Sequence, residues 1–92
     1  SDPLPAGTIE PGKNEAFNRI INTFVPLLYD QNGYFALDYN EEHIKRYCDI
    51  LAKTYCDLIA LKPFPYGNSL TARMLLTCIG KSAGNGFAIA LD

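Results

Sequence analysis

Carboxylates are missing from the last third of this 92-residue chain: none stands between Asp57 and Asp92. Residues 62–92 carry Lys62, Arg73 and Lys81 against Asp92 alone, whereas residues 1–61 carry five basic and nine acidic side chains. Chemistry in the later stretch must work without a local Asp or Glu, and a charged ligand bound there is expected to be an anion. The whole chain has a net charge of −2 and a pI near 5.2, which disfavours a generic grip on nucleic acid or an anionic membrane. No apolar run approaches the roughly 18 residues of a membrane-spanning helix, and no signal-peptide pattern opens the chain. Three cysteines, Cys48, Cys56 and Cys78, form no CxxC. They suggest reduced thiols in a cytosol-like compartment rather than a disulfide scaffold or structural zinc.

What is present supports a core. Hydrophobic residues make up 48% of the chain, with five Phe and six Tyr, which argues against intrinsic disorder. Area scaling for one small domain of this size allows about 64% of the unfolded surface to be buried.

Residues 1–12 hold three prolines and two glycines and read as a flexible leader or linker, with residues 13–92 as a single domain. From Lys13 the pattern is helical: Phe17, Ile20, Ile21, Phe24 and Leu28 form one apolar stripe. Pro26 should kink this helix or end its regular part a turn early. Asp30-Gln31-Asn32-Gly33 is a turn, and the alternation over Gly33–Tyr39 predicts a short strand. Asn40 is a good N-cap, with Glu41 and Glu42 where the helix dipole favours them. A helix of about 20 residues follows, with Ile44, Tyr47, Cys48, Leu51, Ala52, Tyr55, Leu58 and Ile59 on its stripe.

Lys62-Pro63-Phe64-Pro65-Tyr66-Gly67 must break that helix. Asn68 or Ser69 can cap another running to about Lys81, with Leu70, Met74, Leu75, Cys78 and Ile79 on its buried side. Gly84-Asn85-Gly86 ends it, and Phe87–Leu91 suggests a second strand. The expected architecture is mainly α: a small domain of three helices with one or two short strands.

Several constellations carry no chemistry. Gly80-Lys81-Ser82 lacks the earlier glycine of a phosphate-binding P-loop, since Leu75 stands there, and it follows a helix. Gly84-Asn85-Gly86 fails the dinucleotide fingerprint because Ile89 replaces the third glycine. His43, the single histidine, could pair only with cysteines that sit among apolar neighbours and read as buried, inert thiols.

The stretch Lys62–Arg73 remains. Backbone N–H groups at a helix start form an anion site with the positive end of the dipole. Gly67, Asn68 and Ser69 open the helix, Arg73 follows closely, and Lys62 approaches from the preceding helix end. The plainer alternative is that the loop merely turns the chain.

Lys62-Pro-Phe-Pro-Tyr-Gly-Asn-Ser-Leu-Thr-Ala-Arg73 resembles the Fic/Doc (Fido) family motif HPFxxGNGRxxR. Pro63, Phe64, Gly67, Asn68 and Arg73 match in register, five of the eight fixed positions. The likeness extends over about residues 44–90, with a helix before the motif and a leucine-rich helix after it. The resemblance implies a Fic-like helical domain that transfers a nucleotide monophosphate, most often AMP from ATP with magnesium, to a hydroxyl of a target protein. It places Lys62 at the catalytic histidine, and Gly67, Asn68, Ser69 and Arg73 at the nucleotide-binding loop. Tyr66 stands at the acidic metal ligand, Leu70 at the first arginine and Ser69 at the second glycine, so no metal ligand carries over. A lysine amine is protonated at neutral pH and acts as a base only when strongly desolvated. These departures argue against standard AMP transfer.

The function expected is a diverged transferase-type scaffold binding a phosphate-containing donor such as an ATP-like nucleotide, with magnesium as a candidate cofactor. If active, it would be a nucleotidyl- or phosphate-group transferase acting on protein hydroxyls. The alternatives are a catalytically inactive Fic-like binding or regulatory module, or a helical interaction domain of a secreted effector or toxin delivered into a target cell. A protein target or partner is expected in each case, and neither nucleic acid nor membrane.

Overall fold

A computed structural model describes residue 5 and residues 7–83 of the chain. Three helices follow in order: α1, Asn14–Phe24; α2, Glu41–Leu61; and α3, Asn68–Ala83. The mainly α architecture expected from the sequence is the one observed.

Pro26 acts as its chemistry requires. Helix α1 stops at Phe24 and tightens into a 3₁₀ turn, Val25–Leu27, with the proline near its start, where a missing N–H removes no helical bond. Asn40 caps α2 with its side chain, which accepts from the His43 N–H at 2.9 Å. His43 is itself structural, its Nδ1 accepting the Asp38 N–H at 2.7 Å.

The strand expected over Gly33–Tyr39 does not form. Asp30 Oδ1 accepts from the N–H groups of Asn32 and Tyr34, both at 2.9 Å, and closes a tight turn. Around it, among the described residues, one isolated bridge, Tyr29 to Phe35, links antiparallel backbone. Period-two alternation supplies the side chains for a strand, but a ladder also needs a partner of useful length. Among the described residues there is no strand. The second expected strand, Phe87–Leu91, and the Gly84-Asn85-Gly86 stop lie outside the described residues.

The core gathers Phe24, Leu28, Leu37, Tyr47 and Leu76, with Phe35, Ile44, Leu51, Tyr55 and Ile79 packed around it. Tyr47 and Ile44 near the start of α2 thus meet Leu76 and Ile79 near the end of α3, while Tyr55 reaches Ser69 at its beginning. Helix α3 therefore runs back along α2. Tyr29, just after the 3₁₀ turn, fastens that end of α3 by donating its hydroxyl to the Ile79 carbonyl at 3.3 Å.

Two expectations about the core need correction. Cys48, Cys56 and Cys78 are all exposed rather than buried. Helix α3 buries Ala72, Leu76 and Thr77, and leaves Leu70 and Met74 in solvent. The helix is apolar on two sides, so periodicity could not decide which side faces α2.

Candidate functional site in the turn between α2 and α3

The turn is built by its own residues. Lys62 ends α2 in the left-handed region, φ 50° and ψ 60°, with its N–H on the Leu58 carbonyl at 3.0 Å. Pro63 disfavours the right-handed helical conformation for the residue before it, so the chain must leave α2 here. Pro63 and Phe64 are buried, and the Phe64 ring meets Phe17 of α1 edge to face at 5.9 Å. The N–H and carbonyl of Phe64 both bond the Asn68 side chain, at 2.9 and 3.0 Å.

The chain before α1 fastens the same turn from outside. Lys13 Nζ donates to the Leu61 and Lys62 carbonyls, both at 2.9 Å, and the Glu10 N–H donates to the Pro63 carbonyl at 2.6 Å. Carbonyls at a helix C-terminus carry partial negative charge and attract a lysine. Part of the stretch expected as a flexible leader is thus hydrogen-bonded to the turn. No local sequence signal marks Glu10 or Lys13 for this task, because each pairs with residues far along the chain, Lys13 with residues 48 and 49 positions away.

Gly67, at φ 64°, leads into α3, and its carbonyl accepts the first intrahelical bond, from the Thr71 N–H at 2.9 Å. A side chain at position 67 would be strained by that φ whatever the space around it. The amides of Asn68, Ser69 and Leu70 precede that bond and form the positive end of the helix. Asn68 is therefore the first residue of α3 and not its cap. Its side chain is spent on the turn, and only its backbone N–H belongs to the helix start.

Ser69 Oγ lies 2.6 Å from Tyr55 Oη, which joins the site to α2. Arg73 lies one turn farther along α3, half-buried, with its Nε inside the protein. Lys62 stands across the turn with an exposed side chain. The predicted site residues Asn68, Ser69 and Arg73 thus share the first two turns of one helix, and Gly67 leads directly into it. Lys62 borders them through the end of α2. Among the described residues no three His, Cys, Asp or Glu side chains gather as a metal site. No described helix is long and apolar enough to cross a membrane.

Comparison with models of known protein families, with curated proteins and with solved structures finds no match.

Proposed function

We propose that the turn between α2 and α3 binds a phosphate-containing donor, such as a nucleotide, in a diverged Fic-like domain. The observation that carries this reading is the pinning of the turn by Asn68, which commits the start of α3 to one place. Phosphate oxygens would meet the amides of Asn68, Ser69 and Leu70, with Arg73 one turn away and Lys62 as a second cation. The absence of any carboxylate between Asp57 and Asp92 keeps local repulsion of an anion small.

Lys62 acts here as a cation beside the donor rather than as a base, with its side chain exposed to solvent. Transfer to a protein hydroxyl would therefore need a base from elsewhere, the target included. The same exposure favours a second reading, in which the domain holds its donor as a regulatory or binding module and transfers nothing.

Amide NMR with ATP, other nucleoside triphosphates and sugar nucleotides, each with and without magnesium, tests the proposal. Saturable shifts confined to residues 67–73, weakened about tenfold or more in Arg73→Gln, are expected from the loss of a charge-assisted contact. Flat spectra with every donor would sink it. A mass increase on a co-incubated protein separates the transferase from the inactive module.

A further inference from the structure

Helix α3 has one covered side and one uncovered side, and both are apolar. Ala72 and Leu76 are 1% exposed, whereas Leu70 is 54% and Met74 49% exposed. Leu70 and Met74 stand about 6 Å apart along the helix axis, in the kind of row that packs against another element. A solvent-facing surface helix ordinarily carries polar residues there.

Residues 84–92, outside the described residues, follow directly on the end of α3 and read Gly-Asn-Gly-Phe-Ala-Ile-Ala-Leu-Asp. Gly84-Asn85-Gly86 has the composition of a chain reversal, because glycine and asparagine accept the left-handed conformations that tight turns need. Phe87, Ile89 and Leu91 then alternate with Ala88 and Ala90. An extended backbone would put the three bulky side chains on one face and the two small ones on the other.

We propose that residues 87–91 fold back along α3 and cover Leu70 and Met74. Reach and spacing select this occupant. Leu70 lies about 20 Å from Ala83 along the helix axis. With residues 84–86 spent on the reversal, an extended segment runs back about 16 Å by Leu91 and ends between Leu70 and Met74. Its alternate side chains recur every ~6.6 Å, close to the ~6 Å spacing of the helical row, so Ile89 and Leu91 straddle Met74. No charged side chain stands between Ala83 and Asp92, so the contact buries no charge. The tether gives the segment an effective concentration of order millimolar, which a separate partner seldom reaches. At the other end of the chain, residues 1–4 offer one aliphatic side chain, Leu4, and no alternating row. The proposal is independent of the donor reading and survives its failure.

Met74 is the single methionine, so a ¹³C-methyl label on methionine gives one reporter in the middle of the face. In the full chain at low concentration, nuclear Overhauser contacts are expected from the Met74 methyl to the Ile89 and Leu91 side chains. Ile89→Ser and, separately, Leu91→Ser should shift that methyl toward its solvent-exposed position, with amide dispersion intact. Leu70→Lys, at an exposed position, should weaken both contacts from the helix side. A Met74 methyl without contact to residues 87–91, or unmoved by both tail substitutions, would overturn the proposal. Contacts of Ile89 and Leu91 with Ile20 and Ile50, in the groove between α1 and α2, would overturn it in favour of that groove. Contacts seen only between labelled and unlabelled copies would overturn it by making a second copy the occupant.

Discussion

Asn68 holds Phe64 by both of its backbone groups, accepting from the N–H through Oδ1 at 2.9 Å and donating through Nδ2 to the carbonyl at 3.0 Å. One side chain thereby fixes the turn, the seat of the buried Phe64 ring and the first turn of α3.

Asn68→Ala leaves the Phe64 amide and carbonyl without these partners. Stripping the partner from buried backbone groups costs about 1–3 kcal/mol. The unfolding free energy obtained from urea denaturation should fall by that amount, lowering the midpoint in proportion. Asn68→Asp keeps the acceptor for the Phe64 N–H, loses the donor, and places a carboxylate where the helix dipole favours it, so it should fall between. An unchanged midpoint for the alanine variant would show that the turn is held by something else.

Lys13→Met keeps the aliphatic stem and removes both bonds to the end of α2. The expected loss is about 1 kcal/mol, reduced by solvent around a part-exposed ammonium. The local signature is faster hydrogen exchange at the last amides of α2, with the α2 amides around Tyr47 unaffected. Uniform acceleration along α2 would contradict a local fastening.

Lys62 offers a test that separates folding from binding. Its left-handed conformation costs a residue with a Cβ about 1 kcal/mol more than glycine. Lys62→Gly should therefore raise stability by about 1 kcal/mol while weakening any bound donor through the lost cation. Stability and donor affinity moving down together would mean that the lysine side chain serves the fold.

Much of this was legible in the sequence where local chemistry decides. Pro26 ended α1 early, Asn40 capped α2, and Lys62–Gly67 broke the chain between α2 and α3, each through a property of the residues on the spot. Failures came where a distant partner decides. The alternation over Gly33–Tyr39 is a true pattern with no ladder to join among the described residues. On α3 the sequence offers two apolar faces, and the small Ala72 with Leu76 and Thr77 faces inward while the bulkier Leu70 and Met74 stay out. In the candidate site, the gathering of Gly67, Asn68, Ser69 and Arg73 at one helix start was readable, because they are neighbours in sequence. The Tyr55–Ser69 contact and the Lys13 fastening were not, since each joins separate elements.

The thiols follow from the same error of face. Cys48, Cys56 and Cys78 are exposed, so all three should react with a disulfide reagent in the native state, at rates within about tenfold of the unfolded chain. A thiol that reacts only after denaturant is added would place its helix face inward.

Tyr47 gives the chain a defined weakness at alkaline pH. The residue is 4% exposed, with its ring 6.3 Å from Phe35. Burial is the main cause that raises its phenol above the ordinary value of 10.0, and charge on Cys48 and then Tyr29 adds to it. The protonated form is neutral, so below pH 10 the folded and unfolded states bind the same proton and stability does not depend on this group. Above pH 10 the unfolded chain releases the proton while the folded chain retains it. Stability therefore falls with rising pH until the folded phenol also ionises. Urea midpoints measured from pH 8 to about 11 should decline for the wild-type chain, and decline less steeply for Tyr47→Phe, which keeps the ring and removes the proton. The comparison is of slopes, because loss of the hydroxyl can shift the whole curve at every pH. Parallel slopes for the two proteins would remove Tyr47 as the cause of the alkaline loss.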